Sequence, residues 1–349
     1  MRICAAKQAE PESLRQVILG DYRLNPENGV LPQLIAGAAM RLAGVAFPDV
    51  GAGGSRAAQA WQYSDAWELG FQTLYSVGND AGRAILAGRA AVALSGFGTV
   101  LVVHAVARHV HDGSAVGTLV PTMLAAACPT MLAHGALVTS DGCFTFFANL
   151  AAACIAAMLR HMVRVAWSPA LERAPPSPPK VTTKDDRELL ATVPPPLAPP
   201  SLSAGLARAL LAGVAVGGMA AAKHSAVIVA PIALILLGSY AAAVPARALP
   251  RFMTRCVLLL PVSVAISIAV LWACYGFRYS AFAPGQECEQ WRRNWDAGLG
   301  TQHGALEGVP ATLVGMARGA RALPEALLFG TSYAFLSTKV PYSHDSSLL

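Results

Sequence analysis

Long apolar stretches, almost free of ionisable side chains, recur along the chain. Four windows of the length that a membrane-spanning helix needs, roughly 20 residues, contain no Asp, Glu, Lys or Arg: Ser114–Ala133, Gly142–Leu159, Ser225–Ala246 and Cys256–Phe277. Two more, Ala84–Ala107 and Leu202–Ala222, reach this length by including Arg89 and Arg208 respectively. The pattern predicts an all-α integral membrane protein with six transmembrane helices.

The stretches outside these windows differ in character. Residues 169–201 contain ten of the 24 prolines, which excludes a helix there and predicts an extended linker. Leu31–Phe47 is apolar but too short to span, and Pro32, Gln33 and Arg41 interrupt it, so it fits a helix lying on the membrane surface. The residues that follow predict an aromatic belt at headgroup level: Trp61, Tyr63, Trp67, Phe71 and Tyr75.

The distribution of basic residues predicts the orientation, because short cytoplasmic loops are enriched in Lys and Arg. The first, third and fifth connections are basic, and the second has no Lys or Arg. The fourth connection holds Lys223 with His224. The basic residues of the odd-numbered connections are Arg108, Arg160, Arg164, Arg173, Lys180, Lys184, Arg187, Arg247, Arg251 and Arg255. Both termini are therefore predicted to be extracytoplasmic.

This topology divides the chain into five segments. Residues 1–82 form a first extracytoplasmic loop with interfacial helices, and 83–168 hold three transmembrane helices. Residues 169–201 are a cytoplasmic linker, 202–277 hold three more helices, and 278–349 form a second extracytoplasmic loop. Since Met1–Ile18 contains no apolar leader that would export the first loop, we expect a further helix upstream of this sequence.

The net charge of +6 does not indicate a nucleic-acid partner. The basic residues flank hydrophobic segments and form neither one amphipathic face nor a pattern interleaved with aromatic residues, as a polyanion site requires. Membrane lipid is the environment that the composition predicts.

Ionisable groups beside the apolar windows are the candidates for chemistry, because such groups are costly near the membrane core. His134 and Asp141 lie at the two ends of the short second connection, where an imidazole and a carboxylate could face a sugar. The alternative is a solvated turn in which Asp141 caps the next helix. Lys223 and His224 follow an apolar helix at a depth suited to a lipid phosphate. The alternative is a lysine that snorkels to the interface, which also applies to Arg89.

Five short segments, which we call phrases, occur in order along most of the chain and resemble segments of the bacterial members of glycosyltransferase family 39. This family includes the protein O-mannosyltransferase and aminoarabinose-transferase enzymes. These phrases are residues 20–27, residues 129–141, Ala222–Ser225, Tyr275–Ser280 and Leu323–Ala326. The resemblance implies a polytopic GT-C helix bundle with extracytoplasmic loops carrying interfacial helices. It also implies transfer of a mannose-like sugar from a polyprenyl or dolichyl phosphate to a protein or glycolipid acceptor outside the cytoplasm.

In that family an Asp-Glu pair in the first outer loop is the usual catalytic site, with the Asp as general base. The nearest stretch here is Ala9-Glu10-Pro11-Glu12, in which Ala9 stands at the Asp position and Glu10 remains. The family also continues through further helices beyond the point that Leu349 reaches. The resemblance therefore implies a fragment of such an enzyme, without the first helix and the carboxyl-terminal bundle.

We accordingly expect a membrane glycosyltransferase with Asp141, His134 and Glu10 as catalytic residues. Lys223, His224 and Arg278 are expected to bind the donor phosphate. No metal site or cofactor motif is evident in the sequence. The rival hypotheses are a polytopic transporter, in which Lys223, His134 and Asp141 line a permeation path, and a non-catalytic membrane scaffold.

Overall fold

The computed structural model describes residues 21–22, 24, 28–51, 53–135, 137–171, 201–282, 295–301 and 304–338 of the 349-residue chain. Within these ranges the helices, renumbered in chain order, are α1 Val30–Leu42, α2 Arg56–Gln62, α3 Ala66–Tyr75, α4 Ala81–Val110, α5 Ala115–Ala126, α6 Pro129–Gly135, α7 Ser140–Leu171, α8 Leu202–Ala222, α9 Val229–Ala243, α10 Leu249–Cys274, α11 Gly308–Gly319 and α12 Glu325–Ser337. A 3₁₀ turn covers His224–Ile228, and β1 (Gly300–Thr301) pairs antiparallel with β2 (Gly304–Ala305).

The described chain is predominantly helical, as the sequence predicts. Five of its helical segments are long and apolar enough to cross a membrane: α4, residues 140–166 of α7, α8, the 3₁₀ turn with α9, and α10. Their outer surfaces are apolar. Leu94, Leu234 and Val257, for example, are 68–72% exposed. Water would make such a surface unfavourable, whereas lipid tails make it neutral.

The predicted sixth span is bent. The window Ser114–Ala133 forms α5 and α6, whose axes differ by 52° across a short break at Ala127 and Cys128. Pro129 begins α6, and a proline lacks the N–H that would continue the helix and disfavours helical geometry in the residue before it. The described chain has six candidate membrane spans if the bent pair counts as one span, and five if it does not.

Helix α8 lies at the centre of the bundle, between α7 and α10. Its glycines make this possible, because a Cβ on Gly213 or Gly217 would lie 2.6 or 2.7 Å from the carbonyl oxygen of Ser263 or Ser267. The four-residue spacing is the small-xxx-small pattern of closely packed membrane helices. The Ser267 hydroxyl also donates to the Gly213 carbonyl at 3.1 Å. The backbones of α8 and α10 are therefore in direct contact.

A layer of short elements lies at the end of the bundle where α7 begins and α8 ends, which we call the site end. Helix α1, which the sequence predicts as an interfacial helix extending to Phe47, ends at Leu42 and packs on α4. Trp61 was predicted in an exposed aromatic belt, but it is 4% exposed and packs with Leu24 and Leu69. Tyr63 and Trp67 remain well exposed.

Five arginines that the sequence predicts in cytoplasmic loops lie inside helices, and Arg108 in α4 is the first of them. Arg160 and Arg164 belong to α7, and Arg251 and Arg255 belong to α10. Helices α7 and α10 extend beyond the apolar windows because a long arginine side chain can reach the polar layer from within a helix. These residues still mark the end of the bundle opposite the site end, which we call the basic end.

Tyr22 and Tyr275 join the outer layer to the end of α10. Their rings meet edge-on, with centroids 5.1 Å apart. Burial raises the pKa of Tyr22 against the opposing charge of Arg278, and burial also raises the pKa of Tyr275. The fold therefore keeps both phenols neutral beyond pH 10, the ordinary pKa of a phenol.

We predict that the protein loses stability as the pH rises above about 10. The unfolded chain then releases phenolic protons that the folded chain retains, at up to about 1.4 kcal/mol per pH unit for each phenol. Thermal unfolding in detergent between pH 8 and 12 measures this effect. Tyr275→Phe should flatten the alkaline decline, and Tyr63→Phe, at a position 65% exposed, should leave it unchanged. Equal slopes for the two variants would contradict the prediction.

Candidate functional site

Asp141 and Lys223 form an ion pair at the site end. Asp141 lies in the first turn of α7, and Lys223 is the C-cap of α8. A carboxylate at a helix N-terminus and a cation at a helix C-terminus are each favoured by the helix dipole. The Lys223 Nζ donates to Asp141 Oδ1 at 2.5 Å. Two residues 82 positions apart are thus brought together by the antiparallel packing of α7 and α8.

His134 approaches the same carboxylate from the last turn of α6. Its Nδ1 lies 3.4 Å from Asp141 Oδ2, so one oxygen of Asp141 faces Lys223 and the other faces His134. The side chains of His134, Asp141 and Lys223 are 45%, 40% and 35% exposed. These three groups, which we call the triad cluster, are accessible to a ligand.

The cluster borders a cleft of about 260 Å³ between α4, α6 and α7. Small and polar residues form most of its lining: Gly96, Thr130, Met131, His134, Gly135, Asp141, Gly142 and Thr145. Gly96 lies in the middle of α4, so the cleft extends from the site end toward the interior of the bundle. Hydroxyl and glycine linings leave room for a polar ligand beside the carboxylate.

The segment preceding α1 is held against the cluster. The Ser140 hydroxyl donates to Asn28 Oδ1 at 2.9 Å, directly beside Asp141. A Cβ on Gly29 would lie only 2.3 Å from the Ala221 carbonyl oxygen, so this segment also contacts the last turn of α8. Beneath the cluster lies a core of buried apolar side chains from four elements and a loop: Ala36, Val92, Val138, Cys143 and Ala222. The cluster therefore has a rigid support.

Replacing Gly29 by Ala should displace this segment. Gly29 has φ −70°, which any residue adopts, so close approach to α8 is the reason for a glycine there. We predict a loss of about 1–3 kcal/mol of stability from overpacking against backbone atoms. Thermal unfolding in detergent measures it, and Gly53→Ala is the control because nothing lies within 4 Å of its Cβ position. A loss no larger than that of the control would contradict the close packing.

The other predicted site residues lie elsewhere. The His224 ring Nδ1 is 3.2 Å from the Thr331 hydroxyl, so His224 connects the end of α8 to α12. Arg278 donates to the Phe282 carbonyl and acts electrostatically on Tyr22. It belongs to the outer layer and does not line the cleft. Glu10 lies outside the described residues.

Sequence reasoning did not single out Asn28, Ser140, Thr130 and Thr145. Ser140 immediately precedes Asp141, and a serine before an apolar helical run is a signal for a helix start. Thr130 and Thr145 carry no such signal, because a threonine within an apolar window is usually bonded to its own helix backbone. Their place on the cleft follows from the packing of α6 against α7.

Among the described residues, no group of three His, Cys, Asp or Glu side chains has the arrangement of a metal site. Asp141 and His134 could provide two ligands, and the third neighbour is the cation Lys223. Comparison with protein-family models, curated proteins and solved structures finds no match.

Proposed function

We propose that this protein is a membrane glycosyltransferase that moves a sugar from a polyprenyl phosphate to an acceptor hydroxyl at the site end. The observation that carries the proposal is the contact of both Lys223 and His134 with Asp141, together with the cleft that Asp141 and His134 line. A cation for phosphate, a carboxylate for proton abstraction and an imidazole beside it are the groups that such a transfer uses. These residues also lie in two of the segments that resemble glycosyltransferase family 39, residues 129–141 and Ala222–Ser225.

In the first step Lys223 would exchange its partner Asp141 for the donor phosphate. A phosphate entering the cluster competes with Asp141 for Lys223, because both are anionic oxygen ligands for one ammonium group. Once Lys223 binds the phosphate, the Asp141 carboxylate becomes available as a base. The acceptor hydroxyl gives its proton to Asp141 and its oxygen bonds to the anomeric carbon. The bond between that carbon and the phosphate oxygen breaks, and the polyprenyl phosphate leaves with the electron pair.

Incubating membranes that contain the protein with radiolabelled polyprenyl phosphate sugars tests this proposal. Lys223→Ala should weaken donor binding and raise the apparent KM about tenfold or more, since a charge-assisted bond to phosphate contributes at least 1.5 kcal/mol. Arg41→Ala is the control, because Arg41 is an exposed residue of the same outer layer. No transfer from any donor by the folded protein would overturn the proposal.

A transporter is the second candidate, and the bent pair α5–α6 favours it. Interrupted helices bordering a polar cavity are typical of substrate sites in secondary transporters. The break at Ala127 and Cys128 precedes α6, whose last turn carries His134. A transporter would move labelled solute across a vesicle without cleaving the lipid phosphate, and this difference separates the two candidates. The scaffold hypothesis predicts neither activity.

A further inference from the structure

Three helices meet around a buried histidine at the basic end of the bundle. His161 on α7 is 6% exposed. A Cβ on Gly205 of α8 would lie 3.0 Å from His161 Nε2 and 3.2 Å from a methyl carbon of Leu259 on α10. The sulfur atoms of Met162 and Cys256 are 3.7 Å apart beside it. At this level α7, α8 and α10 are therefore in mutual contact.

Each of the three helices places an arginine one turn from this junction. Arg164 follows His161 by three residues, Arg208 follows Gly205 by three, and Arg255 precedes Leu259 by four, spacings that share a helix face. The charges of all three arginines act on the His161 ring. Arg208 Nη1 donates to the Ala204 carbonyl at 2.7 Å, which turns its guanidinium toward the basic end.

Arg208 and Arg255 bring two positive charges close to this junction. Within the described residues, neither Arg208 nor Arg255 forms an ion pair with a carboxylate. Both are partly buried, so water screens their repulsion less than it would on an open surface. A guanidinium fork matches the oxygens of a phosphate group, and a ligand of that kind would offset the repulsion.

We propose that Arg208 and Arg255, beside the His161 ring, bind the phosphate of an anionic membrane lipid. Apolar neighbours of the arginines favour a lipid over a soluble phosphate. Leu206, Leu210, Val257 and Leu258 are each at least 38% exposed beside Arg208 and Arg255, where acyl chains would lie. Both arginines are the seventh residue of their helices, roughly 9 Å from the helix start. This site is separate from the triad cluster and does not depend on the proposed transfer reaction.

Titrating the purified full-length chain in neutral detergent with phosphatidylglycerol tests the assignment, with the unfolding temperature as the readout. The wild type should be stabilised by phosphatidylglycerol and much less by phosphatidylcholine. The double variant Arg208→Gln/Arg255→Gln should lose about tenfold or more in apparent affinity. The variant Arg247→Gln/Arg251→Gln removes the same charge from exposed positions of the same end and should bind like the wild type.

The unfolding temperature in phosphatidylcholine alone reports whether the double variant still folds. If Arg208→Gln/Arg255→Gln destabilised the protein equally with and without phosphatidylglycerol, carboxylates of the chain would satisfy these arginines and the proposal would be wrong. Equal losses of affinity in both double variants would show a diffuse charge effect and would also overturn it. Stabilisation by glycerol phosphate as strong as that by the lipid would exclude the lipid as ligand.

Discussion

Asp141→Asn should abolish sugar transfer and leave the fold intact. The amide keeps the size of the side chain but cannot accept the acceptor's proton, and loss of a general base lowers a rate by about 10²–10⁴-fold. The stability cost should stay within about 1 kcal/mol, because the Asp141–Lys223 pair is substantially exposed to solvent. Transfer rates in membranes and thermal unfolding of the purified variant together measure both effects.

Asp112→Asn is the matched control for this substitution. Asp112 is exposed and lies in the α4–α5 connection at the basic end, which is the opposite end of the bundle from the triad cluster. Its φ of 48° is tolerated by Asn as well as by Asp, so the control introduces no backbone strain. Retention of more than about a tenth of the wild-type rate by Asp141→Asn would remove Asp141 from its role as base.

Gly213→Ala with Gly217→Ala should cause the largest loss of stability of any small substitution in the bundle. The added methyl groups would meet the Ser263 and Ser267 carbonyl oxygens at 2.6 and 2.7 Å, and backbone atoms of α10 cannot rotate away. Overpacking of this kind typically costs about 1–3 kcal/mol at each site. The loss can be measured by thermal unfolding in detergent and by the yield of monodisperse protein.

Gly238→Ala is the control for this pair. Nothing lies within 4 Å of its Cβ position, and it belongs to α9, a lipid-facing helix. Alanine favours a helix over glycine by about 1 kcal/mol, so this variant should be neutral or slightly more stable. If Gly213→Ala and Gly217→Ala behaved like Gly238→Ala, the direct backbone contact of α8 with α10 would be contradicted.

Helix existence was predictable from the sequence, whereas helix ends and bends were not. Apolar runs with at most one arginine inside them predict α4, α7, α8, α9 and α10, because in lipid a helix satisfies its backbone hydrogen bonds within one segment. The break in Ser114–Ala133 was missed although Pro129 signals it, since hydropathy averages over a window and ignores a missing N–H. The extensions of α7 and α10 do not follow from hydropathy, because it assigns Arg164 and Arg255 to loops, whereas an arginine within a helix can snorkel to the polar layer.

The candidate site was predictable only in part. Asp141, His134 and Lys223 are conspicuous because charge is rare beside apolar windows. Their mutual contact depends on the packing of α6, α7 and α8, which residue spacing does not encode. The contribution of Asn28 is less predictable still, because it depends on Gly29 fitting against Ala221 and Ala222. Arg278 lies in the outer layer, as its segment predicts, and its role as a phosphate ligand stays a prediction.

The ratio of lipid phosphate released to sugar transferred tests the central claim most directly. Purified protein in vesicles would receive a polyprenyl phosphate sugar labelled in the sugar and in the phosphate, together with a hydroxyl acceptor. We predict that one polyprenyl phosphate appears for each sugar that becomes bonded to the acceptor, and that Asp141→Asn yields neither product. Sugar that crosses the vesicle membrane while still attached to its phosphate, with no bond formed to the acceptor, would contradict the account.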